Sequence, residues 1–300
     1  MIEAVHVKKN FDKIQAVDDI SATIQEGSVF GLIGTNGAGK STFMRMMCGV
    51  LKPDEGKILI DGIPVYENEQ AKAKLFYISD DQYYFSAGTP EDMFRFYQVI
   101  YPAFDLTKCK ELLGRFGLEP RRKIRTFSKG MKKQLSVLMG ICANTKYLLC
   151  DETFDGLDPV MRQAVKSIFV NEMEERGMTP IIASHNLREL EDICDHVGLL
   201  HRGGILLSKD LEDMKCNIHK LQCVFSNPED ITSIEQKVEV IRKEQRGQLY
   251  TLTIRGTQEE IEQQTADLNP VFYEVLPLSL EEIFISETEV VGYDIKNLIF

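Results

Sequence analysis

The chain has 300 residues, 43% of them hydrophobic, a composition typical of a globular protein with a substantial core. Its formal net charge of −11 argues against nucleic-acid binding, and the basic run at 121–125 is more simply a solvated loop. Seven scattered cysteines without a C-x-x-C pair argue against a disulfide framework or a zinc site. We find neither a signal peptide nor an apolar run near the ~20 residues of a membrane span, and therefore expect a cytoplasmic protein.

The first part of the chain predicts short strands. Residues 4–7 and 20–24 have strand character, and residues 57–66 predict a strand, a turn at Asp61-Gly62 and a second short strand. Residues 9–14 look like a turn with aromatic character. Residues 75–78 are a further strand candidate that ends in an acidic and aromatic loop.

A glycine-rich segment matches the phosphate-binding motif G-x-x-x-x-G-K-[ST]. Its residues are Gly34, Thr35, Asn36, Gly37, Ala38, Gly39, Lys40, Ser41 and Thr42. The apolar run 29–33 predicts a buried strand before it, and residues 43–48 predict a helix after it. We expect the three glycines to take positive φ, so that backbone N–H groups form a nest for an anion at the helix N-terminus. Lys40 would then reach the β- and γ-phosphates of a nucleotide and Ser41 would ligate Mg²⁺, whereas the alternative is an ordinary glycine-rich turn.

Downstream, the pattern is that of an α/β protein with a helical insert. Residues 90–143 have helical character, and Thr89-Pro90 suits a helix cap and first turn. Continuous apolar runs at 147–150 and 180–183 predict buried strands, with a helix at 159–176 between them. Such alternation predicts a parallel sheet.

The pattern changes again near residue 209, after a hairpin predicted to turn at Arg202-Gly203-Gly204. The predicted elements are strand 221–226, helix 229–236, a hairpin turning at Arg246-Gly247, helix 257–268, strand 271–277 and helix 279–287. This β-α-β-β-α-β order with one more helix indicates a small α+β domain. The terminal segment 290–300 is unusually apolar, and we expect it to pack against a partner chain or swap across a dimer, the alternative being packing on its own domain.

Two acidic residues follow the buried strand that ends at Cys150. Asp151 could hold Mg²⁺, and Glu152 could polarise a water for in-line attack on a γ-phosphate. An acidic pair can also simply begin a loop, but the apolar run before it and Gly156-Leu157-Asp158-Pro159 after it favour the catalytic interpretation. His185 follows the next buried strand, at the edge where α/β sheets bind ligands, and could contact both the γ-phosphate and the general base.

These motifs, in this order over roughly residues 1–208, resemble an ATP-binding subunit of an ABC transporter. The resemblance implies that residues 34–42 are the Walker A loop, Asp151 the Walker B aspartate, Glu152 the catalytic glutamate, residues 156–158 the D-loop and His185 the switch histidine. Lys40, Glu152 and His185 are thereby the expected catalytic residues. Ser41 and Asp151 are expected to hold Mg²⁺.

The resemblance also implies nucleotide contacts outside the phosphate loop. Phe11 matches the aromatic residue that stacks on adenine, and Val17 is expected near the ribose. Residues 127–131 match the ABC signature, whose Ser128 and Gly130 at a helix N-terminus would clamp the γ-phosphate of an ATP bound to a second subunit. Asp158 of the D-loop is likewise expected at the nucleotide.

Three departures from the family pattern lie close to the expected phosphates. The signature usually reads LSGGQ, whereas Lys129 and Met131 stand here in place of Gly and Gln. The glutamine of the family's Q-loop aligns with Asp80, which could ligate Mg²⁺, while Gln82 is the second candidate if the loop is shifted. Residues 153–155 replace the family's Pro-Thr-Ser, so contacts of the D-loop across a dimer could differ.

The implied fold is α/β, a P-loop NTPase core with a mainly parallel sheet, an N-terminal antiparallel β-subdomain and a helical insert at about 88–143. Residues 1–208 would form the ATPase domain, and residues 209–300 a small α+β accessory domain with an apolar tail. Residues 280–284 match the Leu-Glu-x-(Ile/Val)-Phe motif of exporter-type relatives, and the chain is similar to the Ytr-type and bacitracin-resistance-type subunits.

The implied function is hydrolysis of MgATP by a subunit that dimerises head to tail around two ATP molecules. Such a dimer would drive a separate integral membrane permease from the inner face of the cell membrane. One alternative is a soluble ABC ATPase of the translation or DNA-repair type, although those usually carry two ATPase modules or a long coiled coil. A second alternative is a catalytically inactive module, but the presence of Lys40, Glu152 and His185 together argues against it. The transported substance, the direction of transport and the choice between homodimer and heterodimer stay open.

Overall fold

The computed structural model describes residues 1–154, 157–227 and 230–290 of the chain. The chain divides into a first unit, Met1–Ser208, and a second unit that begins at Lys209. Residues 291–300 lie outside the described part, so the prediction for the apolar tail stays a prediction.

The first unit begins with three successive strands, and strands are mixed with helices after them. Its elements are β1 (Ile2–Phe11), β2 (Ile14–Ile24), β3 (Phe30–Gly34), α1 (Lys40–Met47), β4 (Glu55–Ile60), β5 (Ile63–Pro64), α2 (Glu69–Lys72), β6 (Leu75–Ile78), α3 (Pro90–Ile100), α4 (Leu106–Arg115), a 3₁₀ turn (Ile124–Thr126), α5 (Lys129–Cys142), β7 (Tyr147–Asp151), α6 (Pro159–Arg176), β8 (Thr179–Ser184), α7 (Leu187–Glu191), β9 (His196–His201) and β10 (Gly204–Asp210).

Two sheets organise the first unit. Strands β2-β1-β4-β5 form an antiparallel sheet, and β10-β9-β3-β8-β7-β6 form a six-stranded sheet. Strand β3 pairs in parallel with β8 and β9, and β7 pairs in parallel with β6 and β8. The predicted parallel sheet, antiparallel subdomain and helical insert are therefore confirmed. Because parallel strands end at one edge, the residues that follow β3, β7 and β8 are brought together there.

Helix α1 lies in the core that joins the two sheets. Its Phe43, Met44, Met46 and Met47 are buried in one cluster with side chains from both sheets. Burying each such side chain contributes about 1.5–3 kcal/mol, so the cluster anchors the phosphate loop that precedes α1. The helix begins directly after that loop, and the core thereby fixes the direction in which its N-terminus points.

Some local predictions differ from the structure. The turn expected at 9–14 is shorter, since β1 continues to Phe11 and β2 begins at Ile14; Asp12 turns the chain with φ 51°. The hairpin at Arg202-Gly203 has both residues at positive φ, 47° and 86°, as a tight hairpin between twisted strands requires. Helices α2 and α7 are too short to leave a periodic pattern in the sequence.

The second unit contains α8 (Leu211–Asn217), β11 (Ile218–Val224), α9 (Asp230–Lys237), β12 (Glu239–Arg246), β13 (Leu249–Arg255), α10 (Gln258–Ala266), β14 (Phe272–Pro277) and α11 (Leu280–Val290). Its elements follow the β-α-β-β-α-β order expected from the sequence, and its antiparallel sheet has the strand order β12-β13-β11-β14, a split β-α-β arrangement. Among the elements formed by its described residues, α8 is the one that the sequence pattern did not predict.

Alternation along the strands gives this sheet two different faces. Leu221, Leu252 and Ile254 are buried on one face with residues of α9 and α10. The neighbouring positions, among them Lys220 and Thr253, line a polar cavity of about 300 Å³ between the other face and α11.

Candidate active site

The phosphate loop has the backbone conformation that its glycines allow. Gly37 and Gly39 have φ of 82° and 102°, in the region that favours glycine, as predicted. The same expectation is wrong for Gly34, which is not among the residues with positive φ. A Cβ at Gly34 would lie 2.7 Å from the carbonyl oxygen of Leu200 on β9, so this glycine is required by close packing of two strands.

Lys40 is the first residue of α1, and its side chain extends back to the start of the phosphate loop at Gly34. Its side chain is 5% exposed, and its Nζ donates to the carbonyl oxygen of Gly34 at 2.8 Å. The same nitrogen lies 3.4 Å from Oε1 of Glu152. Since a buried ammonium is costly without such partners, these contacts fix the amine at the point where a phosphate group would enter.

Asp151 ends β7 beside the start of α1. Its Oδ1 accepts a hydrogen bond from the Ser41 hydroxyl at 3.1 Å, and its Oδ2 accepts one from the Tyr77 hydroxyl at 3.0 Å. Burial raises the pKa of Asp151, although the hydrogen bonds from Ser41 and Tyr77 oppose this shift. The structure thus brings the two predicted Mg²⁺ ligands together, and Tyr77 is a contact that sequence reasoning missed.

Glu152 lies between the lysine of the loop and the histidine after β8. His185 Nδ1 is 2.8 Å from Oε2 of Glu152, and Lys40 approaches the other carboxylate oxygen. Glu152 has φ of 47°, a left-handed conformation that is uncommon for a residue with a side chain. Such a conformation turns the chain sharply at the strand end and directs the carboxylate toward the phosphate loop.

Asp80, rather than Gln82, lies with these groups. Asp80 lines the same cavity as Lys40 and Glu152 and forms an ion pair with Lys133 Nζ at 3.3 Å. Gln82 does not line the cavity; its Oε1 accepts a hydrogen bond from Tyr84, and its amide nitrogen is buried without a hydrogen-bond partner within the described part of the chain. Geometry therefore favours Asp80 as the residue of this loop at the site.

One cavity of about 410 Å³ joins most of the predicted residues, a size within the range of small-molecule pockets. Its lining residues are Ile14, Ala16, Thr35, Asn36, Gly37, Gly39, Lys40, Ser41, Thr42, Asp80, Glu152 and His185. Gly34 and Ala38 are not among them; the buried Ala38 accepts a hydrogen bond from Gly203 N.

Phe11 and Val17, which were expected around the base and the ribose, do not line this cavity. Val17 is fully buried in the core, because it lies on the inward face of β2, while Ile14 and Ala16 of the same strand line the cavity. Phe11 is 43% exposed at the end of β1, with Lys9 Nζ 5.6 Å from its ring centre, and it does not line the cavity. Its stacking on adenine stays a prediction.

Ser128 and Gly130 of the signature and Asp158 of the D-loop lie at helix N-termini outside this cavity. Ser128 caps α5, where its hydroxyl accepts a hydrogen bond from Met131 N at 3.1 Å, and Gly130 lies in the first turn. Asp158 caps α6 through Met161 N at 3.0 Å. Gly156 of the predicted D-loop lies outside the described residues. The two caps, Ser128 and Asp158, are exposed, as is the neighbouring Lys129. These residues therefore face away from the chain's own core.

The donor set suits Mg²⁺ bound together with phosphate. Among the described residues, no group of three or more His, Cys, Asp or Glu side chains could hold a metal ion alone. Ser41 and Asp151 instead meet beside the phosphate loop, and Mg²⁺ is commonly held by one or two side chains together with phosphate oxygens and waters. Within the described part of the chain, no helix is both long and apolar enough to cross a bilayer.

A parallel sheet whose first buried strand leads through this loop into a helix defines a P-loop NTPase. The family model for the ABC transporter matches residues 17–155, and the ABC transporter ATP-binding protein YtrB of Bacillus subtilis is 33% identical over 96% of this chain and 98% of its own. The chain therefore belongs to the ATP-binding subunits of ABC transporters, which confirms the resemblance seen in its motifs.

Further relatives agree with this assignment. The lantibiotic transport ATP-binding protein SrtF of Streptococcus pyogenes is 29% identical over 76% of this chain and 96% of its own. A solved ATP-binding subunit of an ABC transporter superposes with a TM-score of 0.66 at 25% identity, covering 72% of this chain and 92% of that one. The cassette MJ0796, solved as a dimer bound to ADP and phosphate, shares the fold with a TM-score of 0.63 at 19% identity. The superposition covers 70% of this chain and 99% of MJ0796.

Proposed function

We propose that this chain hydrolyses MgATP and thereby drives a separate permease in the membrane. One observation carries the proposal: Lys40, Glu152 and His185 converge on a single cavity that is floored by the phosphate loop. A phosphate loop alone would account for nucleotide binding. The addition of a carboxylate held by a histidine accounts for hydrolysis, because in-line attack needs a group that takes a proton from water.

Each residue has a defined part in this reaction. Backbone N–H groups of the loop and the N-terminus of α1 would bind the triphosphate, with Lys40 opposite the β- and γ-phosphates. Glu152 would accept the proton of the attacking water, while His185 orients its carboxylate. Ser41 and Asp151, with Asp80 as a further candidate, would hold Mg²⁺, which when bound neutralises charge on the phosphate oxygens.

The site of one chain is incomplete by itself. Ser128 and Gly130 at the N-terminus of α5 are suited to an anion, yet they lie outside the cavity of their own chain. We propose that they clamp the γ-phosphate of an ATP held by a second subunit, in a head-to-tail dimer with two such sites and with Asp158 near the interface. MJ0796, which shares the fold, has been solved as a dimer bound to ADP and phosphate.

The domain organisation and partners follow from the same proposal. Residues 1–208 would be the ATPase domain, with the helical subdomain at about 88–143 facing the permease. The domain from residue 209 onward would be an accessory module. The names of the relatives support transport over translation or DNA repair, and the similarity to YtrB supports a Ytr-like subgroup. The chain would then be cytoplasmic and bound to the inner face of the cell membrane through its permease.

Phosphate release by the purified chain tests the catalytic part of this proposal. We expect hydrolysis with MgATP and none after chelation of Mg²⁺, and we expect Lys40→Ala to lose both nucleotide binding and turnover. A folded wild-type chain that binds MgATP without hydrolysing it would contradict the proposal. Purification from membranes with an integral membrane protein would support the transport role, whereas purification with ribosomes or DNA would support the soluble alternative.

A further inference from the structure

Lys133 contacts Glu152 from α5, at a position beyond the signature residues 127–131 with which this helix begins. It lies on α5, five residues after Ser128, and its side chain is 12% exposed. Its Nζ donates a hydrogen bond to the carbonyl oxygen of Glu152 and lies 3.3 Å from Oδ1 of Asp80. A nearly buried ammonium with these two acceptors is held at one position, because losing either acceptor would leave a charge poorly compensated.

Lys133 donates its hydrogen bond to the backbone of Glu152, a residue in an unfavourable backbone conformation. Glu152 has φ of 47°, and a residue other than glycine keeps such a conformation only where its surroundings impose it. On one side, Glu152 N donates to the carbonyl oxygen of Ala183 on β8 at 2.9 Å. On the other side, Lys133 of α5 holds the Glu152 carbonyl. The peptide groups that flank the Glu152 side chain are therefore fixed by two different elements.

The same helix carries residues proposed to serve the second ATP site. Ser128 caps α5, and five residues of α-helix span about 7.5 Å along the axis, so Lys133 lies little more than one turn from the signature. A rigid helix moves as one body, and any shift that brings Ser128 onto a phosphate also moves the Lys133 side chain against Glu152. Asp80 extends the connection, because it pairs with Lys133 and lines the cavity.

We propose that Lys133 is a positioning residue that couples α5 to Glu152, so that ATP clamped by Ser128 at one site sets the orientation of the general base at the other. This inference rests on the proposed function, in particular on the head-to-tail dimer. The same proposal explains why an aspartate, Asp80, stands where the family's Q-loop has a glutamine. A carboxylate at this position forms an ion pair with Lys133, which joins the loop after β6 to the same coupling unit.

Substitution of Lys133 tests this role against a matched control. Lys133→Gln removes the charge and the long donor, whereas Lys132→Gln removes the same charge from the adjacent position of the same helix. We expect Lys133→Gln to lower kcat about tenfold or more, because a hydrogen bond from a charged donor is lost, while the KM for ATP changes little. We also expect the Hill coefficient for ATP to fall toward one. Lys132→Gln should keep wild-type values, and Lys133→Arg should recover part of kcat.

An exchange of charges separates positioning from the ion pair alone. In Asp80→Lys combined with Lys133→Asp the ion pair is restored, but an aspartate at 133 cannot donate to the Glu152 carbonyl. We expect this double variant to stay as slow as Lys133→Gln, and recovery to wild-type kcat would overturn the proposal. If Lys133→Gln does not fold, as judged by its melting curve, the kcat values of the double variant and of Lys133→Arg test the proposal in its place.

The outcomes also separate this inference from the proposed function. A wild-type chain that binds but does not hydrolyse MgATP contradicts the proposed function itself. An active wild-type chain whose kcat and Hill coefficient are unchanged in Lys133→Gln contradicts only the role of Lys133. A wild-type chain that hydrolyses ATP without cooperativity overturns the coupling between sites.

Discussion

Nδ1 of His185 lies 2.8 Å from Oε2 of Glu152, across the carboxyl ends of two neighbouring parallel strands. Lys40 Nζ is 3.4 Å from the other carboxylate oxygen. Glu152 is thus held at both oxygens, by one residue from the phosphate loop and by one from the end of β8. A general base fixed in this way needs little rearrangement before it takes a proton, which is how positioned carboxylates gain their catalytic effect.

The first prediction concerns Glu152→Gln. Glutamine has the same shape but cannot accept the proton of the attacking water, so steady-state hydrolysis should fall by about 10²–10⁴-fold. Affinity for MgATP should be retained, because the phosphate loop is unchanged, and ATP-bound dimers should accumulate. Phosphate release and size-exclusion chromatography with MgATP measure both effects. The exposed Glu174 on α6 provides the control, Glu174→Gln, and normal turnover in Glu152→Gln would exclude Glu152 as the base.

The second prediction tests whether two chains share each site. Lys40→Ala should disable the phosphate loop, and Ser128→Asp should disable the signature by charge repulsion while keeping a good N-cap for α5. In a homodimer each variant alone should be inactive. A mixed dimer has one site with both defects and one intact site, so an equal mixture should recover about a quarter of wild-type activity if the sites act independently. Coupling between the sites would lower this fraction, so ATP binding by the mixed dimer is measured as well, and a demonstrated mixed dimer that neither hydrolyses ATP nor binds it more tightly than the Ser128→Asp variant would count against shared sites.

Much of this site was predictable because its motifs adjoin buried strands. Asp151, Glu152 and His185 each end or follow an apolar run, and a parallel sheet brings such ends to one edge. The phosphate loop was recognisable because its glycines and lysine lie close together in the sequence. Local patterns of this kind survive without any knowledge of long-range contacts.

The remaining contacts depend on side chains that are far apart in the sequence. Tyr77 and Asp151 are 74 residues apart, and nothing in a short apolar strand marks its tyrosine as a partner of an aspartate. Lys133 is one of several lysines on α5, and only packing decides which of them reaches Glu152. Gly34 illustrates a different limit, since a glycine required for close strand packing looks the same in sequence as one required for positive φ.

The third prediction concerns Tyr77→Phe. The phenolic hydroxyl holds Oδ2 of Asp151 at 3.0 Å, while Ser41 occupies Oδ1. Partners that orient a ligating carboxylate typically contribute 10–100-fold to metal affinity, so the apparent affinity for Mg²⁺ should fall by about tenfold. Nucleotide binding measured without Mg²⁺ should be unchanged. Tyr101→Phe removes a hydroxyl that donates to the carbonyl of Leu75, away from Asp151, and should leave the Mg²⁺ dependence of hydrolysis as in the wild type. An unchanged Mg²⁺ titration for Tyr77→Phe would show that its hydroxyl does not position Asp151.

The fourth prediction concerns the pH dependence of stability and rests on Asp61, in the turn after β4. Its Oδ1 accepts hydrogen bonds from Tyr147 at 2.7 Å and from Lys146 at 2.9 Å, and its Oδ2 pairs with Lys74 at 2.7 Å. These contacts join the antiparallel sheet to the starts of β6 and β7. Burial alone would raise the pKa of Asp61, but the hydrogen bonds, with that from Lys74 the largest, hold its pKa well below the usual range.

Because the pKa of Asp61 is lower in the folded state than in the unfolded chain, ionised Asp61 stabilises the fold above the unfolded value of about 3.9. That contribution is lost as pH falls toward the folded pKa. Asp61→Asn should therefore lower the free energy of unfolding by about 2 kcal/mol at pH 7, since hydrogen bonds to a charged group are lost. The difference from the wild type should shrink as pH falls below about 4. Denaturant unfolding at a series of pH values measures this, with the exposed Asp81→Asn as the control, and a difference that stays constant from pH 7 to pH 3 would refute a role for the ionised Asp61.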